Sequence, residues 1–125
     1  MDSTSPKDAV IVWEGDSKEV ISSFPDGPRQ NLGFQLRLLP QGQQPTDYRA
    51  MRSIGPGVFE LRDQDERAWY RVIYLSRVRD AIHVLHCFEK RSRETPMKEI
   101  VTARQRMKAV RAHATRERKH GGKAQ

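Results

Sequence analysis

The sequence predicts an α+β fold in which helices cover one face of a twisted, mainly antiparallel sheet and leave the other face available for function. Three observations predict it. A β-branched and aromatic run opens the chain and two helix-like stretches follow it. From Tyr48 the period changes from helical to extended and stays so to about Phe88. A final apolar stripe at helical spacing then closes the order strand, two helices, four strands, helix. The 125 residues fit one domain, expected over 1–115, with a basic and disordered tail over 116–125.

Ala9 to Trp13 reads as a short, largely buried strand ended by Glu14 and Gly15. Asp16 offers a helix cap with Glu19 three residues on, so a helix begins there and carries Val20, Ile21 and Phe24 inward until Pro25 stops it. Asp26-Gly27-Pro28 restarts a helix with proline in its first turn. Leu32, Leu36 and Leu39 recur on one face of it before Pro40 and Gly42, so the two helices are expected as a hairpin. Arg49 to Ile54 and Val58 to Arg62 are extended segments about the turn Gly55-Pro56-Gly57. Arg67 to Leu75 and Ala81 to Phe88, rich in Val, Ile, Tyr and Trp, complete an antiparallel meander across the turn Ser76 to Asp80. Thr95-Pro96 starts the last helix, with Ile100, Ala103, Met107, Val110 and Ala114 inward and Arg104, Arg106, Lys108 and Arg111 on other faces. There is no internal repeat.

Charge is distributed unevenly. Residues 1–88 hold 11 Lys/Arg against 12 Asp/Glu, a sum of −1, whereas residues 89–125 hold 12 against 4, a sum of +8. Such a field attracts polyanions, and a solvated basic helix is the plainer account of it. Met1 to Pro6 lacks signal-peptide character, and no apolar run approaches the ~20 residues of a membrane span, so a soluble cytoplasmic protein is expected. The single cysteine, Cys87, excludes an internal disulfide and a cysteine zinc cage, and its strand setting makes it a small core residue. No His or carboxylate cluster has metal-ligand spacing, and no cofactor is expected.

If the third and fourth strands pair with Arg62 opposite Arg71, Glu60 shares their face, and Phe59, Leu61, Val72 and Tyr74 lie on the other, against the helices. Two facing arginines repel, so the pair either recruits Glu60 in an intrasheet salt bridge or awaits a phosphate. A different register separates them. Lys90, Arg91 and Arg93 immediately precede a helix N-terminus, where backbone N–H groups and the helix dipole also favour an anion, and Lys98 follows in its first turn. His83 and His86 have opposite strand parity, so at most one faces the cationic surface; either is a candidate base.

Val58-Phe59-Glu60-Leu61-Arg62, Trp69 to Leu75, Ile82 to Arg91, Thr95-Pro96, and Ala103 followed by Arg106 together resemble the phage-derived, HigB-like toxins of the RelE/ParE superfamily, over about residues 8–110. The resemblance implies a RelE-like single domain and the toxin of a type II toxin–antitoxin pair. In the RelE-like branch such a toxin enters the ribosomal A site and cuts mRNA without a metal ion. It also implies a cognate antitoxin, a small helix-turn-helix protein. By motif, Arg71 matches the catalytic arginine, Lys90 and Arg91 the basic pair before the last helix, and Arg62 a basic strand position beside them. The chain departs from the pattern where many RelE toxins carry a catalytic tyrosine and it has Thr95-Pro96-Met97-Lys98.

Cleavage by the RNA's own 2′-hydroxyl needs a base, cations for the phosphorane and an acid for the departing 5′-oxygen. Arg62, Arg71 and Lys90 suit the charge, Glu60, His83 or His86 the protons, and Arg91, Arg93 and Lys98 the RNA backbone. Two other readings stand beside this one. A ParE-like inhibitor of DNA gyrase has a similar fold and cuts no RNA, and a plain RNA-binding module needs only the basic C-terminal half.

Overall fold

A computed structural model describes residues 9–92 and 94–123 of the chain. The elements follow the expected order: β1 (Val10–Trp13), α1 (Ser17–Ser22), α2 (Asp26–Leu38), β2 (Tyr48–Ala50), β3 (Val58–Gln64), β4 (Trp69–Val78), β5 (Ala81–Lys90) and α3 (Met97–Lys123). The five strands form one mixed sheet in the order β1-β5-β4-β3-β2. Its β2 to β5 part is an antiparallel meander, and β1 adds to β5 in parallel. An α+β architecture with a C-terminal helix is therefore present. Among the described residues no helix is long and apolar enough to cross a membrane.

Both faces of the sheet are covered, which corrects the expectation that helices lie on one face only. Ile21, Phe24, Leu32 and Leu36 of the first helical segment bury against Leu61, Tyr70, Val72, Tyr74 and Cys87 on one side. On the other side Ala103, Met107 and Val110 of α3 bury against Val58, Ile73, Leu75, Leu85 and Phe88. The apolar stripe of α3 needs a partner surface, and the residues of opposite strand parity supply it. Only the end of that second face, beyond the first turn of α3, is left for polar groups. Helix α3 continues to Lys123, past Thr115, where its apolar stripe ends.

Local chemistry moved several boundaries. Strand β2 stops at Ala50 rather than Ile54, because the Met51 N–H bonds to the Val58 carbonyl and the Ile54 N–H to that of Met51, turning both side chains into the core beneath α3. Strands β4 and β5 run closer together than expected, with only Arg79 and Asp80 between them, and Arg79 adopts a left-handed φ of 57°. Asp16 stands at the N-cap of α1 without a capping hydrogen bond. Its carboxylate instead meets the Arg106 guanidinium at 3.2 Å, tying α3 to the start of α1.

A register shift in β5 decides the histidines. Ile73 pairs with His86 and Tyr74 with Val84, so Leu85 is an extra residue and the alternation is broken there. His83 and His86 consequently both turn toward α3. His86 bonds to Glu99 of α3, and His83 lines a cavity with Val110 and His113. At the bulge strand parity no longer separates the two histidines.

Candidate functional site

The register sets Arg62 opposite Arg71, as the face argument required. On that face the rows run Arg49, Glu60, Ile73, His86 and then Arg62, Arg71, Phe88, with Gln64, Trp69, Lys90 at the end of the sheet. The polar residues of these rows cluster because the strand ends lie beyond the apolar stripe of α3.

Glu60 is the centre. Its carboxylate is fully buried, and Oε1 accepts from Arg71 Nη1 at 2.7 Å and from Arg49 Nε at 3.0 Å. Arg71 was expected to be an open-face residue, but its side chain is only 3% exposed. The reason is packing on three sides: Glu60 Oε1 takes its Nη1, Phe88 lies across the ladder, and the Trp69 ring centroid is 5.5 Å from its Cζ. Among the described residues Glu60 Oε2 and Arg71 Nε find no hydrogen-bond partner. The repulsion between facing arginines is thus relieved by a buried intrasheet ion pair, one of the two solutions open in the sequence.

Lys90 is also buried, at 6% exposure, and its Nζ donates to Thr95 Oγ1 at 3.3 Å. Burial first, and the Arg71 guanidinium second, pull its amine below the usual lysine range; Glu60 and Glu94 oppose that and Arg49 adds to it. Two buried cations, Arg71 and Lys90, and the half-exposed Arg49 therefore lie about the buried carboxylate of Glu60. Arg62 points outward, half-exposed, and reaches Asp47 at 3.4 Å. Arg91 and Lys98 are exposed on the rim, and Arg93 lies outside the described residues.

His86 is held apart from this group by its hydrogen bonds. Its Nε2 meets Glu99 Oε1 at 2.6 Å and its Nδ1 faces Arg106 Nη1 at 3.3 Å, while the ring stacks on Phe88. A guanidinium can only donate, so the contact requires Nδ1 to accept and assigns the proton to Nε2, facing Glu99. His83 is paired with Glu14 at 2.7 Å near β1, away from the cluster. Among the described residues no three His, Cys, Asp or Glu come together as metal ligands do.

Arg49, Trp69, Asp47 and the Glu99–Arg106 clamp on His86 were missed in the sequence. A signal existed for two of them: Arg49 lies opposite Glu60 once β2 and β3 are paired, and Trp69 shares the parity of Arg71. A cavity of about 260 Å³ opens at this end of the sheet, lined by Asp47, Arg62, Asp63, Gln64 and Trp69.

The family model described as "Phage derived protein Gp49-like (DUF891)" matches residues 19–108. That span includes every described residue of the cluster. No curated protein and no solved structure gives a significant match.

Proposed function

The chain belongs to the phage-derived Gp49-like family, and from that premise we propose that it is the toxin of a type II toxin–antitoxin pair acting in the cytoplasm as a ribosome-dependent, metal-independent mRNA endoribonuclease of the RelE/ParE type, close to its HigB-like branch. The observation that carries this reading is the group of Arg49, Arg71 and Lys90 around the one buried carboxylate of Glu60, with Arg62, Arg91 and Lys98 exposed beside it. A phosphate diester relieves the excess positive charge there better than any neutral ligand. The +8 segment 89–125 supplies attraction at longer range.

In this reading the RNA's 2′-oxygen attacks the adjacent phosphorus, a cyclic 2′,3′-phosphate forms, and the 5′-oxygen departs with a proton. Arg62 takes the charge that develops on the phosphorane oxygens, and Arg71 and Lys90 add positive potential from beneath it. Glu60, itself held by Arg49, positions the Arg71 guanidinium through Nη1. For His86 to carry the 2′-hydroxyl proton to the departing 5′-oxygen, its bonds to Glu99 and Arg106 must open when RNA binds. Arg91, Arg93 and Lys98 hold the flanking backbone. The partner is a small helix-turn-helix antitoxin that covers the basic surface and stabilises the toxin by binding its folded form.

The test is mRNA cleavage during translation in a reconstituted system, mapped at the 5′ ends, run beside gyrase supercoiling. Wild-type protein is expected to cut translated mRNA, and Arg62→Ala with an unchanged melting temperature to cut it on the order of 10²-fold more slowly. Inhibition of supercoiling without cleavage, or RNA binding without turnover, refutes the nuclease reading.

A further inference from the structure

We propose that the cavity beside Trp69 is a nucleobase subsite that selects guanine. The inference rests on the RNA reading above and adds to it a base preference. The cavity opens at the end of the same sheet face, where Trp69 lies between Gln64 on β3 and Lys90 on β5. Its volume of about 260 Å³ equals roughly nine waters at ~30 Å³ each, room for a planar heterocycle.

The lining says which part of a nucleotide fits. Two of its five residues, Asp47 and Asp63, are carboxylates, which repel a phosphate. The half-buried Trp69 indole offers a flat apolar surface on which a base stacks. Phosphate therefore belongs on the neighbouring cations and the base belongs here. Asp63 is already committed: its Oδ2 accepts from Asn31 and its Oδ1 from the Gln64 N–H. Asp47 is exposed, and its Oδ2 meets Arg62 at a long 3.4 Å. A carboxylate only accepts, and guanine alone among the four bases presents two adjacent donors, N1–H and the N2 amino group, to one carboxylate. Adenine and cytosine place a ring acceptor beside their amino group, and uracil flanks its single N–H with carbonyls. Arg62, released from Asp47 by the base, is then free to face the adjoining phosphate.

The probes are the 2′-O-methyl trinucleotides UGU, UAU, UCU and UUU, which bind without being cut. Trp69 fluorescence is read in the full-length Trp13→Phe protein, because Trp13 packs on the opposite face of the sheet. UGU is expected to quench Trp69 and to bind about tenfold tighter than the other three. Asp47→Asn should bring UGU to their level; measured by titration calorimetry, which needs no indole, Trp69→Ala should weaken all four about tenfold and Trp69→Phe should recover most of it. Equal binding of the four probes, or a guanine preference untouched by Asp47→Asn in a protein of wild-type melting temperature, overturns the proposal. Failure here leaves mRNA cleavage standing, with no guanine enriched at the mapped ends. Guanine-selective binding in a protein that cuts no RNA upholds the subsite and refutes the nuclease.

Discussion

Arg71→Ala should unfold this protein more readily than any surface substitution, and the magnitude follows from what the change leaves behind. Glu60 is fully buried, and its two cationic partners sit at 2.7 and 3.0 Å. Removing one partner of a buried pair costs about 3–5 kcal/mol, since the remaining charge has neither water nor a counter-ion. Arg49, half-exposed, still neutralises the carboxylate, so the lower end applies, about 3 kcal/mol. At ~4 °C per kcal/mol for a domain of this size, the melting temperature should fall by about 12 °C. The pair is incompletely hydrogen-bonded, so replacing both partners should cost less than replacing one: Glu60→Leu with Arg71→Leu should recover at least half of the loss. Urea titrations of wild type, both single variants and the double variant measure the coupling directly. High salt should leave it nearly unchanged, because buried charges are little screened. An Arg71→Ala protein within about 0.5 kcal/mol of wild type would mean that the residue behaves as an exposed sheet arginine, and the argument for a buried pair would fail.

Gly15 has a φ of 54° and a Cβ there would run into the Arg106 guanidinium, so Gly15→Ala should cost about 1–3 kcal/mol in a chemical melt; an unchanged midpoint removes the α1–α3 tie. Burial pushes the Cys87 thiol far above its usual range, so it should resist a thiol-reactive dye until the chain is unfolded in denaturant, and prompt native labelling contradicts the core assignment. At Asp65, burial raises the carboxyl, but hydrogen bonds from the Arg67 and Ala68 N–H groups and the Tyr70 hydroxyl outweigh it and hold the group below the usual aspartate range. A depressed carboxyl stabilises the fold above its unfolded value, and that contribution is lost as pH falls through the folded one. Asp65→Asn should therefore melt lower at neutral pH and converge with wild type in strong acid, and equal curves at every pH exclude the effect. RNA affinity should fall steeply between low and physiological salt, and a flat dependence is incompatible with phosphate contacts by the basic cluster.

Much of this molecule is determined locally. The change of period at Tyr48, the β-branched runs, Pro25 and Pro40, and the stripe from Ile100 to Ala114 carry the element order in the chain itself, because each acts within a few residues. The shared face of Glu60, Arg62 and Arg71 follows from strand parity once a register is assumed. What parity does not fix is exposure. Arg71 looked like an open-face residue because its neighbours pointed to the helices, and only the packing of Glu60, Trp69 and Phe88 around it makes it a buried ion-pair member. The bulge at Leu85 likewise has no local signature, yet it turns His83 and His86 to one side and gives His86 to Glu99 and Arg106, 13 and 20 residues away. Periodicity is a property of one segment, and it was legible. Burial and ion pairing depend on which segments meet, a choice made by the free energy of the whole chain, and they became visible only when β2, β5 and α3 were brought together in space.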